Sequence, residues 1–277
     1  MKHVEVAGAR IRYHESGDPA APPVVQLHGI GRSLEDWLPQ HPLLAADHRV
    51  ISVDMPGFGL SQRLPVPATL GSLSDGVWQT LDALGETRPV HLMGNSLGGA
   101  VAMQMLVDDP GRVSALTLAG SAGFGREVTF ALRVLSIPLL GRRLLSRIDP
   151  RTARRVERAL FVDGSLVTEE RVRMAVEIAR QPDFAPVYVE IARALGSFRG
   201  VAPRWRAELL TRVRQTPKPT LVVWGEHDLV LPAAHLAAAR VALPHARTYL
   251  FPETGHMPQL ERPAAFADLV REVTVRR

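Results

Sequence analysis

Residues Val90 to Met105, VHLMGNSLGGAVAMQM, place a strand, a glycine-flanked serine and the opening of a helix within sixteen residues. Val90, His91, Leu92 and Met93 read as a short buried strand, and Ala100 to Val107 are helix formers with apolar residues on most faces. Between them, Gly94-Asn95-Ser96-Leu97-Gly98 is GxSxG, the spacing of a nucleophile elbow, where a serine sits on a sharp strand-to-helix turn with its hydroxyl above the sheet. Gly94 and Gly98 let neighbouring backbone approach, and Gly99 with Ala100 lets the helix pack close to the sheet. Ser96 is the candidate nucleophile. Five residues of pattern arise by chance often enough that the flanking sequence has to supply the context.

Upstream, Val4–Val6 and Ile11–His14 suggest an N-terminal hairpin, and Val24–His28 a buried strand ending in His28-Gly29-Ile30-Gly31. In the elbow architecture a glycine-rich loop at this place lends a backbone N–H to an oxyanion hole, which makes Ile30 one candidate donor and Leu97, after the serine, the other. Val50–Asp54 is a further strand, and the MPGFGLS that follows reads as a tight structural turn. Leu73, Val77, Leu81 and Leu84 give residues 69 to 84 one apolar helical face. After the elbow helix, Arg112–Gly120 is again an apolar strand. Strands alternating with helices of this length imply βαβ crossovers and a parallel sheet covered on both faces.

The alternation stops at Ser121. Up to about Phe198 no strand is convincing, whereas helices are: FALRVLSI, a segment with Asp149 as cap and Pro150 at its first position, and one opened by Thr168 with Glu169 and Glu170 in its first turn. Residues 123–199 therefore read as a helical lid inserted into a core of 1–122 and 200–277. The lid's apolar residues (Phe130, Leu132, Leu135, Leu139 and Leu144 among them) are expected to roof an apolar pocket. The alternation resumes with a helix around Trp205–Val213, the strand Thr220–Trp224, a helix through Ala233–Ala242, the strand Thr248–Phe251 and a last helix from about Pro263.

An acid and a histidine follow the two late strands: Glu226-His227-Asp228 after LVVW, and Gly255-His256 after TYLF. Both positions lie at strand carboxyl ends, the edge where open α/β sheets place ligands and where Ser96 also falls. The order Ser96, Asp228, His256 is that of an elbow-type triad. A serine hydroxyl needs a neighbouring base to take its proton and return it to the leaving group, a role for His256. Asp228 would fix the imidazole tautomer, with Glu226 as the competing acid.

HGIG, DMPGFGLS, MGNSLGGA, WGEHDLVLP and GHMPQLERP, in this order over residues 24–122 and 205–275, resemble the α/β-hydrolase superfamily. The resemblance implies an α/β fold with a mostly parallel eight-stranded sheet, helices on both faces, a lid after the sixth strand, and acyl-enzyme chemistry that needs neither cofactor nor metal. GNSLGG and GSAGFG look most like carboxylesterases and the meta-cleavage-product (carbon–carbon bond) hydrolases. Two departures concern the latter: their usual tryptophan after the catalytic histidine is Met257 here, and their HGxGPG loop is HGIGRS. Haloalkane dehalogenases and epoxide hydrolases use an aspartate nucleophile, which Ser96 does not replace. The expected activity is hydrolysis of small esters with apolar parts. Alternatives are C–C bond hydrolysis with lid arginines on the substrate carboxylate, perhydrolase or haloperoxidase chemistry, and slow-turnover ligand binding.

Composition narrows the classes further. A 46% hydrophobic content over 277 residues is ample for a large core. With no cysteine there is neither a disulfide nor a thiolate metal site, which permits a reducing compartment. No N-terminal apolar region or long apolar run is present, so a cytoplasmic protein without a membrane span, monomeric or homodimeric, is expected. The net charge of +5 is concentrated in residues 124–198, where 13 Arg face 9 acids, with seven Arg between Arg142 and Arg158. Without aromatic platforms or a binding module this run does not suggest nucleic acid; it reads as a solvated face able to attract acidic molecules or anionic surfaces.

Overall fold

The computed structural model describes residues 1–275. Eight strands form one sheet: β1 (Lys2–Val6), β2 (Ala9–Ser16), β3 (Pro23–Leu27), β4 (Arg49–Val53), β5 (Val90–Asn95), β6 (Val113–Ala119), β7 (Thr220–Gly225) and β8 (Arg247–Phe251). Their spatial order is β1-β2-β4-β3-β5-β6-β7-β8, with β1 and β2 antiparallel and β4 to β8 all parallel. This is the α/β-hydrolase fold that the motif order implied.

Side chains of the central strands alternate between two apolar layers, as a sheet covered on both faces requires. Leu92, Leu116, Leu118, Val222 and Trp224 enter one cluster with the helices α1 (Leu70–Ala83) and α2 (Leu97–Asp108). Met93, Ala115, Ala119, Leu221 and Val223 enter the other, with Trp37, Phe266 and Val270. Thr69 caps α1 through a capping box with Ser72. Helix α2 is buried on nearly every side, which is why it carries small and apolar residues all round rather than one stripe.

Between β6 and β7 the chain forms α3 (Phe130–Leu135), α4 (Pro138–Leu145), α5 (Pro150–Arg158), α6 (Glu169–Ala179) and α7 (Phe184–Leu195). Asp149 and Thr168 accept from backbone N–H groups in the first turns of α5 and α6. A short antiparallel ribbon, Gly196–Ser197 against Gly200–Val201, follows α7 where the sequence shows no strand. Two residues per side are too few to carry an alternating pattern.

The expectation that the apolar residues of this segment roof a pocket is corrected in part. Leu132 and Leu135 face cavities and Leu145 is buried, but Phe130, Ile137, Leu139, Leu140 and Leu144 are exposed. Helices α3 and α4 are too short to turn every apolar residue inward, and their buried side is already filled by α7.

The longer remaining helices are α8 (Pro203–Gln215), α9 (His235–Ala242) and α10 (Pro263–Val275). No helix among the described residues is long and apolar enough to cross a membrane.

Candidate active site

Ser96 ends β5 and immediately precedes α2, with φ 55° and ψ −116°. A non-glycine residue there is strained by about 1–3 kcal/mol, a cost that packing on all sides must offset. Glycine is required at the next position but one, because a Cβ on Gly98 would lie 2.2 Å from the Leu27 carbonyl oxygen. Only without it can the helix start against β3 and turn the serine upward.

His256 and Asp228 come from the loops after β8 and β7. The His256 Nδ1–H donates to Asp228 Oδ2 over 2.7 Å. Asp228 Oδ1 accepts from the Val230 and Leu231 N–H groups at 2.8 and 2.9 Å, so the carboxylate is fixed on both oxygens. With Nδ1 protonated toward Asp228, Nε2 is left as an acceptor. Ser96 and His256 line one cavity wall together with Ile30 and Met257. Glu226 goes elsewhere: it is exposed, and its carboxylate accepts from the Glu253 N–H.

The candidate oxyanion donors meet at the same place. Gly29 packs on the elbow so closely that a Cβ there would sit 3.4 Å from Ser96 Cβ, bringing Ile30 alongside. Neither the Ile30 nor the Leu97 N–H donates to another described residue. Leu97 opens a helix, where N–H groups lack intrahelical acceptors and the helix dipole is positive. The loop is held from below by His28, whose Nδ1–H donates to the Gly29 carbonyl (2.8 Å) while Nε2 accepts from Met55 N–H (3.1 Å). Burial pushes the His28 pKa down and keeps the ring neutral, as this pattern needs.

Several further residues support the site. Asn95 Nδ2 donates to the carbonyls of Ala119 and His256 at 3.0 and 3.1 Å, tying the histidine's backbone to the elbow strand. Glu261 accepts from the N–H groups of Gly255 and Val162, and the His256 N–H donates to the Leu160 carbonyl, so the segment between β6 and β7 holds the histidine loop directly. Asp54, just before the turn that reads as structural, takes the N–H groups of Leu34 and Leu60 and pairs with Arg12 at 2.6 Å. These partners are long-range, and only the invariable need of a buried acid for partners hinted at them.

A ring of four alternating charges joins the Ile30 loop to the inserted helices. Arg32 and Arg171 each pair with both Asp36 and Glu157; the acids are 1% exposed and the arginines 17%. Burial opposes ionisation of Asp36, yet the two guanidiniums hold it well below the usual carboxylate range.

A second serine–histidine bond, Ser16 Oγ to His41 Nδ1 at 2.6 Å, lines neither cavity. His41 Nε2 is occupied by Ser52, which passes the chain on to Gln26, so both ring nitrogens are committed to structure. Glu226, His227 and Glu253 bring three ligand-type atoms within 4.8 Å of one another, but all are exposed and two are engaged with each other.

Two cavities flank Ser96. One runs past Leu97, Val128, Leu195, Val201 and Leu231; the other past Thr129, Leu135, Tyr188, His256 and Met257. Ile30, Ser96 and Leu132 belong to both, and no carboxylate among the described residues lines either. Arg133 lines the first; its Nε donates to the Val128 carbonyl, and no carboxylate among the described residues pairs with it.

Residues 22–263 match the model of a family described as alpha/beta hydrolase fold. The chain belongs to the α/β-hydrolase fold family. This α/β hydrolase is 30% identical over 282 residues to the 2-hydroxymuconate semialdehyde hydrolase of Pseudomonas sp. (strain CF600), covering 97% of this chain and 92% of that one. It is 34% identical over 257 residues to the dihydrolipoyllysine-residue acetyltransferase component of the acetoin cleaving system of Pseudomonas putida, covering 93% of this chain but 64% of that protein. Among solved structures it superposes on the meta-cleavage product hydrolase of Pseudomonas fluorescens IP01 with a TM-score of 0.82 and 27% identity, over 99% of this chain and 97% of that one. A thermophilic esterase from Thermogutta terrifontis shares the fold at a TM-score of 0.77 and 22% identity, over 98% of this chain and 97% of that one.

Proposed function

We propose that the protein is a serine hydrolase that cleaves carboxylic esters through an acyl-enzyme on Ser96, with His256 as base and Asp228 as its orienting acid. The observation that carries the reading is the buried Asp228–His256 bond, which leaves Nε2 free on the cavity wall that Ser96 shares. In the first half-reaction His256 takes the Ser96 proton as Oγ attacks the ester carbonyl. The Leu97 and Ile30 N–H groups receive the oxyanion, each such donor contributing roughly 10²–10³ in rate. His256 then returns the proton to the departing alkoxide, and water repeats the sequence to release the acid. The cavities on either side of Ser96 would take the acyl and alcohol halves, and their apolar walls favour hydrophobic ones. In this reading residues 123–199 serve as a lid over a core of 1–122 and 200–277.

A second reading, cleavage of a C–C bond in a vinylogous 1,5-diketone acid, is favoured by Arg133. A cation on the wall beside Ser96, paired with no carboxylate, is suited to a substrate carboxylate. Relatives named as meta-cleavage product hydrolases point the same way.

Turnover of p-nitrophenyl esters from acetate to palmitate, with a meta-cleavage dienoate alongside, separates the two. The ester reading expects a chain-length optimum that falls by about 10⁶ in Ser96→Ala. Fast dienoate cleavage with weak ester turnover, sensitive to Arg133→Gln, selects the second. Activity unchanged in Ser96→Ala rejects both.

A further inference from the structure

Helix α4 has two unlike sides. Gly141 and Leu145 are buried, Gly141 so close to α7 that a Cβ there would lie 3.2 Å from Val189 Cγ2. The opposite arc carries Leu139, Leu140 and Leu144, exposed by 85%, 40% and 44%. At 100° per residue, Arg143 falls on that same arc, Arg142 lies about 60° beyond its Leu139 edge, and Arg147 follows just past the helix end. All three arginines are exposed, and none lies within ion-pair distance of a described carboxylate. Glu190, the acid that senses Arg142, is already bound by Arg63.

The preceding helix, α3, also exposes an apolar side chain at its first position. Phe130 and Phe198 stack edge to face at 5.7 Å between centroids and are 65% and 49% exposed. Ser197 and Gly200, on either side of Phe198, line the cavity that contains Ser96, so the aromatic pair stands near its rim.

We propose that this face docks the protein on an anionic phospholipid surface. Leu139, Leu140, Leu144 and the two phenylalanines would enter the boundary between headgroups and acyl chains, and Arg142, Arg143 and Arg147 would bind the phosphates. Interleaved leucine and arginine on an amphipathic helix is the composition that lies in such an interface, because the guanidinium reaches outward along its own apolar stem. A second copy of this chain is the poorer occupant, since a two-fold contact would bring the two arginine sets together. An acidic protein would engage the arginines but leave Leu139, 85% exposed, without a matching apolar partner.

The test reads binding without turnover, so it stands or falls separately from the ester reading. The full chain is sedimented with phosphatidylcholine vesicles, with or without one third phosphatidylglycerol. Binding is expected with the anionic vesicles, weakening with salt. Arg142→Gln, Arg143→Gln and Arg147→Gln should each cost about five-fold, and Leu139→Ser and Leu144→Ser about ten-fold. These side chains are exposed, so thermal melting should stay at the wild-type value. Arg204→Gln, on α8, controls for net charge. No retention on anionic vesicles overturns the proposal, as does an equal loss in Arg204→Gln. A dimer that dissociates in the leucine variants, without vesicle binding, would assign the face to a second copy instead.

Discussion

Around Ser96 the side chains of Asn95, Asp228 and His256 are buried and held by hydrogen bonds, whereas in the inserted helices Phe130, Leu139, Leu140, Leu144, Arg142 and Arg143 are exposed. The first region hangs on strand ends of one continuous sheet; the second is a set of short helices with small apolar clusters of their own. The two meet at the four-charge ring and at the Leu160–His256 backbone bond. The contrast teaches that positional accuracy comes from the sheet, while the inserted helices contribute a cavity wall fastened at defined joints. A catalytic group needs sub-ångström placement, which a strand end supplies and an eight-residue helix does not.

The largest expected effect breaks the site on the sheet side. Asp228→Asn should lower kcat by about 10⁴ with little change in melting temperature, because the imidazole loses its tautomer. Glu226→Gln, two residues away but exposed, should leave kcat within about two-fold; equal losses in the two variants would contradict the assignment. Next comes the joint. Glu157→Ala leaves two half-buried guanidiniums with Asp36 as their remaining acid in the ring and should cost about 1.5–3 kcal/mol of stability, measured by urea denaturation. Arg204→Ala, removing an exposed pair with Glu208, should leave the denaturation midpoint at the wild-type value.

The last effect is one of pH, and it belongs to the core alone, since residues 123–199 contain no histidine. Burial, helped by His14, lowers His41 to about 3, and burial, helped by His48, lowers His91 to about 3. In the unfolded chain both revert to about 6.5. Between these values the unfolded state binds more protons, so their contribution is full above pH 6.5 and is lost as pH falls toward 3. The slope is up to about 1.4 kcal/mol per pH unit for each histidine. Denaturation midpoints at pH 7.5, 6 and 5 should therefore fall in that order, and a flat series would count against buried neutral rings.

Most of the sheet was legible because each strand is a run of β-branched or aliphatic residues between turn signals, as in Val90–Met93 and Thr220–Trp224. Ser96, Asp228 and His256 could be singled out because each sits in a motif or directly after a strand. Asn95, Glu157, Arg171 and Glu261 could not: their partners lie up to 161 residues away for Asn95 and 135 for Arg171, and no local pattern encodes a contact that distant. The outward face of α4 was missed for another reason. Hydrophobicity alone says that leucines want burial, but which of them find it depends on how a short helix docks.

The measurement that bears most directly on the account is intact-mass and peptide analysis after exposure to a fluorophosphonate, which phosphonylates activated serines whatever the natural substrate. The account predicts one adduct, on Ser96, absent in Ser96→Ala and slowed at least a hundred-fold in His256→Ala. Labelling of another serine, such as Ser16 beside His41, or a rate at Ser96 indifferent to His256, would contradict it.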